Sequence, residues 1–156
     1  MIRKLAMLTV FLSMILILPS YSKTIPKFLL KDENGNIISQ KSLKGKPSVL
    51  IFWGINCSSC KKELPIFNKF YKKYKNKINF YAIIIDSDDI GKIQDRKKKW
   101  GFEIPVLIGD KMTAYKFKIF GVPITYFVDK NLEVKKILIG RASEKQIEKE
   151  IKNLFN

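Results

Sequence analysis

The 156 residues are 46% hydrophobic and 12% aromatic, which suits one domain with a real core and crowds out two. The formal charge of +16, from 30 Lys and Arg against 14 Asp and Glu, is spread over nearly every segment. It lacks the arginine-rich or aromatic-interleaved runs of a nucleic-acid surface, so it reads as a solvated lysine-rich exterior. The absence of histidine excludes Ser-His and Cys-His nucleophile pairs, His-metal centres and an imidazole base, leaving carboxylate, lysine, water or thiolate for proton transfer.

The chain opens on basic Arg3 and Lys4, an almost uncharged apolar stretch over residues 5–18, and Ser20-Tyr21-Ser22 as a small-x-small site. That order predicts an export signal over residues 1–22, cleaved after Ser22. The alternative is an N-terminal membrane anchor, although the apolar stretch is shorter than the roughly 20 residues a spanning helix needs. Either way residues 23–156 form the expected folded domain, with 28 basic against 14 acidic residues, on the outer side of the cytoplasmic membrane. Thiols there meet an oxidising compartment and stay reduced only with a dedicated electron donor.

After Pro26, Phe28-Leu29-Leu30 and Ile37-Ile38 flank Asp32-Glu33-Asn34-Gly35-Asn36, whose Asn-Gly step predicts a β-hairpin. Gly45 and Pro47 punctuate the chain before Ser48-Val49-Leu50-Ile51-Phe52-Trp53, a short continuous apolar run of the kind found in a central strand covered on both faces. A loop then leads to Cys57-Ser58-Ser59-Cys60 and a helix. The spacing puts two sulfurs one helical turn apart, the first at the helix N-terminus, where unpaired N–H groups and the helix dipole favour a thiolate. Cys57 is the candidate nucleophile and Cys60 the resolving thiol. A structural zinc site needs about four Cys or His ligands, and two cysteines with no histidine do not supply them within one chain. A purely structural disulfide would close too short a loop to remove much chain entropy.

Leu64, Phe67, Tyr71 and Tyr74 recur at helical spacing as a core stripe, and Pro65 is expected to interrupt and kink that helix. A buried strand over residues 79–85 ends at Asp86-Ser87-Asp88-Asp89, read as a turn with a helix N-cap and not as a cation site. A basic helix over 90–100, a strand over 104–108 and a helix over 111–120 come next, the last ended by Gly121. Pro123 opens the apolar strand of Gly121-Val122-Pro123-Ile124-Thr125-Tyr126-Phe127-Val128, where proline is confined to an edge, a strand start or a cis turn. Asn131 turns the chain into a strand over 133–139, and Ser143-Glu144-Lys145-Gln146 is a capping box. Ile147, Ile151, Leu154 and Phe155 form the stripe of a last helix.

Phe52-Trp53-Gly54-x-x-Cys57-x-x-Cys60-Lys61-Lys62-Glu63-x-Pro65, together with Val122-Pro123-x-Thr125, the N-terminal hairpin and the extra helix-strand unit over 90–108, resembles the thioredoxin superfamily. Within it the chain is most similar to the exported TlpA/ResA-like thiol-disulfide oxidoreductases, over about Ile25 to Phe155. The resemblance implies an α/β thioredoxin-like fold, a central mixed sheet flanked by helices, and no cofactor. It implies that Cys57 attacks, Cys60 resolves, and Glu63 tunes the thiols. In thioredoxin an aspartate sits beneath the cysteines six positions before the first; that place is Ile51 here, which leaves Glu63 as the nearby carboxylate. Trp53, Val122 and a cis Pro123 would form the substrate-binding face. Implied partners are disulfide-containing exported proteins, among them an apocytochrome c in cytochrome c maturation, and a membrane electron donor of the CcdA or DsbD type, with no nucleic acid. Asn56 replaces the usual aromatic before the first cysteine and Ser58-Ser59 the usual Glu-Pro or Gly-Pro, so a family redox potential does not carry over. Two other readings are a redoxin-type peroxide reductase, which calls for Thr where Gly54 stands three residues before Cys57, and a non-catalytic thioredoxin-fold binding module.

Overall fold

The computed structural model describes residues 23–156, so the expected signal or anchor over residues 1–22 lies outside the described residues. Seven strands, β1 (Leu29–Asp32), β2 (Ile37–Ser39), β3 (Ser48–Trp53), β4 (Asn79–Ile84), β5 (Val106–Ile108), β6 (Ile124–Val128) and β7 (Val134–Ile139), form one sheet in the order β2-β1-β5-β4-β3-β6-β7. The β3, β4 and β5 strands run parallel, while β1, β2, β6 and β7 pair antiparallel with their neighbours. Among the described residues the sheet is accompanied by a 3-10 turn at Gln40–Leu43 and by the α-helices α1 (Ser58–Tyr74), α2 (Ile90–Trp100), α3 (Lys111–Lys116) and α4 (Glu144–Asn153). Among the described residues no helix is long and apolar enough to cross a membrane.

Every residue of β3 is buried, and its alternation sorts the core into two layers. Val49, Ile51 and Trp53 join Leu64 and Phe67 of α1, Ile93 of α2, and Ile147 and Ile151 of α4. On the opposite face Leu50 and Phe52 join Phe28, Leu43, Ile83, Phe117 and Tyr126. Fully burying side chains of this size is worth about 1.5–3 kcal/mol each, so β3 is fixed from both sides before its last residue releases the Cys57 loop.

Some boundaries differ from those expected of the sequence. Helix α1 runs unbroken through Pro65: Leu64 and Phe67 are anchored in the core, and the carbonyl that loses its N–H partner belongs to the exposed residue Lys61. Helix α3 ends at Lys116, four residues early, because Lys118 takes a left-handed φ of 54° and the Ile119 N–H reaches back to the Ala114 carbonyl at 2.8 Å. The reversal carries both Phe117 and Ile119 into the core. Strand β5 starts only after Pro105, and Phe155, placed on the last helix's buried stripe, is 46% exposed and packs against Tyr74 instead. The N-caps lie where the sequence puts them: Asp89 accepts from the Lys92 N–H, and Ser143 and Gln146 form a reciprocal capping box.

Candidate active site

Strands β3 and β4 are paired in parallel with Trp53 opposite Ile84, so the two chains leave the sheet side by side. That pairing brings Asp86, just beyond β4, to the loop after β3. The Asp86 carboxylate accepts the Ile55 N–H at 3.0 Å through Oδ1 and 3.3 Å through Oδ2, and Arg96 of α2 donates its Nε–H to the Ile55 carbonyl at 2.9 Å. Both backbone groups of Ile55 are therefore held by side chains from neighbouring elements. Gly54 makes the approach of Asp86 possible, since a Cβ there would lie 2.8 Å from Asp86 Oδ2.

The clamp delivers Cys57 to the N-cap of α1, its sulfur accepting the Cys60 N–H at 3.1 Å and its own N–H donating to the Gly54 carbonyl at 3.2 Å. Cys57 and Cys60 are joined as a disulfide with Cα atoms 5.2 Å apart. The two sulfurs have unequal surroundings: Cys60 is completely buried against α1's core face, while Cys57 is half-buried between the exposed side chains of Asn56 and Ser58.

Glu63, one helical turn beyond Cys60, is 1% exposed. Its Oε1 accepts the Ala142 N–H at 2.7 Å and its Oε2 has no partner among the described residues. Burial pushes its carboxyl up to about 7, against the smaller opposing effects of the Ala142 hydrogen bond and the Arg141 charge. A carboxyl raised this far toward neutrality is able both to take and to return a proton.

The Val122–Pro123 peptide bond is cis. Ile124 pairs with Phe52 on one side and Ile139 on the other, which sets Pro123 beside the end of β3 where the cysteine loop departs. The Pro123 carbonyl accepts the Gly140 N–H at 2.9 Å, whereas the Val122 amide and carbonyl have no hydrogen-bond partner among the described residues. Trp53 does not join this face. Its side chain is 0% exposed, packed edge-on against Trp100 at 5.5 Å and Phe102 at 5.6 Å, so its expected contact with substrate is corrected to a place in the core beneath the loop.

Two residues of the site are not singled out by the sequence pattern. Asp86 reads there as a turn residue and Arg96 as part of a solvated helix. The usable signal is the pair of apolar runs at 48–53 and 79–85, which as adjacent parallel strands end together and bring their departing loops into contact. Among the described residues no group of three or more Cys, Asp or Glu side chains is placed to hold a metal ion.

Known proteins agree with this geometry. The ResA thiol-disulfide oxidoreductase of Bacillus thuringiensis (strain Al Hakam) is 33% identical over 135 residues, covering 85% of this chain and 77% of the relative. A thiol:disulfide interchange protein of the thioredoxin family from Chlorobium tepidum TLS has the same fold, with a TM-score of 0.78, 20% identity, and coverage of 89% of this chain and 100% of its own. StoA from Bacillus subtilis superposes with a TM-score of 0.68 at 25% identity over 81% of this chain and 96% of its own. The profile of the AhpC/TSA family matches residues 21–137. With the disulfide at the head of α1 and a cis proline beside it, the chain belongs to the AhpC/TSA family and is a thioredoxin-fold thiol-disulfide oxidoreductase of the ResA type.

Proposed function

We infer that the protein reduces disulfides in exported proteins outside the cytoplasm, serving cytochrome c maturation, and is itself recharged by a membrane electron donor of the CcdA or DsbD type. The observation that carries this reading is the unequal burial of the two sulfurs with a protonatable carboxyl one turn behind the hidden one. The export-like sequence of residues 1–22 supports the compartment, and the ResA relative's name supports the thiol-disulfide exchange.

In the reduced protein the Cys57 thiolate, held by the Cys60 N–H and the helix terminus, attacks one sulfur of a substrate disulfide. A Cys57–substrate bond forms, the substrate's S–S bond breaks, and its other sulfur leaves as a thiolate that takes a proton from water. The Glu63 carboxylate then accepts the Cys60 proton. The resulting Cys60 thiolate attacks the Cys57 sulfur, re-forming the internal disulfide and expelling the second substrate thiolate. That thiolate takes the proton held on Glu63, so two electrons have passed to the substrate, and the donor must return two electrons with one proton for Cys60. The free Val122 amide and carbonyl would hold the substrate strand alongside the reacting sulfurs during both attacks.

Replacing Cys60 by Ala removes the second attack and keeps the first, so mixed disulfides through Cys57 should accumulate on exported proteins, an apocytochrome c or the membrane donor among them. Cys57→Ala should trap little, because Cys60 is buried. Equal recovery through Cys60 would reverse the two roles, and recovery of nothing from either variant would favour the binding-module reading.

A further inference from the structure

The most exposed large apolar side chain among the described residues, Phe120 at 92%, stands two residues before Val122, and Ile139, at 83%, stands across the strand pair from Ile124. Between them lies an open cleft of about 360 Å³ that also takes in Lys118, Pro123 and Gly140. Its size is at the small end of the roughly 300–1,000 Å³ seen for ligand sites, which suits one or two side chains of a peptide. Neither Phe120 nor Ile139 belongs to either core layer, so the fold gives no reason for two bulky apolar groups at this spot. The cleft's one charged lining residue is Lys118, and no acidic residue lines it.

We propose that this cleft selects substrates: it binds an extended polypeptide segment that carries a large apolar side chain and a carboxylate close to the cysteine under attack. The proposal rests on the thiol-exchange reading above and adds to it the chemistry of the segment recognised. Three features converge on an extended peptide. The register of β6 puts the cleft at the sheet end where Cys57 emerges, the unpaired Val122 amide and carbonyl offer strand-like pairing, and the exposed side chains of Phe120 and Ile139 line the same cleft as that backbone. Charge separates a substrate from a second copy of the chain. Two molecules of formal charge +16 repel as Lys118 approaches its counterpart, while an acidic segment is drawn in.

The test uses peptides whose single cysteine is joined by a disulfide to a coloured aromatic thiol, with the symmetrical disulfide of that thiol as reference substrate. The Cys57 thiolate bonds to the peptide sulfur and expels the coloured thiolate; Cys60 then closes the internal disulfide and frees the peptide thiol, so one disulfide is made for each one broken. The readout is the rate constant for the peptide divided by that for the reference, which cancels differences in active protein. A peptide with Leu and Glu beside the cysteine should exceed one with Ser and Lys by about tenfold, the scale set by burying one anchor side chain. Phe120→Ser should bring the Leu-over-Ser part of that preference to within about twofold, and Lys118→Glu should invert the Glu-over-Lys part of it.

A wild-type protein that reacts with the reference but shows no peptide preference overturns the cleft and leaves the thiol-exchange reading standing. So does a preference that Phe120→Ser leaves intact. Failure to react with the reference as well overturns both. A dimer in sedimentation that Phe120→Ser dissolves assigns the cleft to a second copy and overturns the proposal.

Discussion

Replacing Glu63 by Gln in the oxidised protein should flatten the dependence of stability on pH between about pH 4 and pH 8. In the folded chain burial holds this carboxyl protonated up to about 7, whereas in the unfolded chain it ionises near its ordinary value of 4.5. Between the two values the native state binds the extra proton, so stability falls as pH rises through this window and levels off once the folded carboxyl has ionised too. A separation of that size corresponds to about 3 kcal/mol between the two ends. The window is unusually clean. The chain has no histidine, and both thiols are tied up in the disulfide. Carboxylates such as Asp110, lowered by the Thr113 N–H and hydroxyl that donate to it, lose their contribution only as pH falls, at the acid end. Guanidinium unfolding of oxidised wild-type and Glu63→Gln proteins at a series of pH values measures the effect. Glutamine places an amide N–H₂ among buried groups, a penalty of about 1–3 kcal/mol that does not vary with pH, so the slope and not the absolute stability is the quantity compared. Parallel profiles for the two proteins would refute the reasoning and mean that the folded carboxyl ionises at its ordinary pH despite its burial.

The loop clamp gives a second test. Gly54→Ala should destabilise by about 1–3 kcal/mol through the clash with Asp86, and most of that loss should vanish in an Asp86→Ala background; additive effects in a double-mutant cycle by chemical denaturation would dismiss the contact. Ser143→Ala should remove the cap of α4 at about 1 kcal/mol, read by the same method, and Ser143→Asp should restore most of it.

The parts of the fold legible in the sequence are those dictated by local pattern. The uninterrupted run from Ser48 to Trp53 marks a strand buried on both faces, the turn of Leu64 and Phe67 marks α1, and Ser143 with Gln146 marks the start of α4. Local pattern fails where a distant segment decides the outcome. Lys118 adopts a left-handed conformation because Phe117 and Ile119 must both reach the core, and nothing in a lysine announces that. Glu63 sits at a spacing that serves an exposed helix position equally well. Only the return of the chain 79 residues later, presenting the Ala142 N–H, closes over it.

For Trp53, strand parity is a better guide than motif. Its place in the Phe-Trp-Gly motif points toward the substrate, yet alternation puts it on the same face as Val49 and Ile51, beneath α1, and that is where the indole lies. The consequence reaches the chemistry. With Trp53 locked between Trp100 and Phe102, the ring contributes to the site by fixing the floor from which Gly54 and Ile55 depart, and Asp86 and Arg96 fix that loop's two backbone groups from above. Cys57 is thus held on a short, doubly hydrogen-bonded loop, while the proposed substrate surface is made by different residues, Val122 with its unpaired backbone and the Phe120 and Ile139 side chains that line the same cleft. Holding the sulfur and recognising the substrate are separate tasks on separate elements, β3 with α1 and β6 with β7, so a change in the Phe120 loop is expected to alter which disulfides react and leave the internal geometry of the Cys57–Cys60 pair in place.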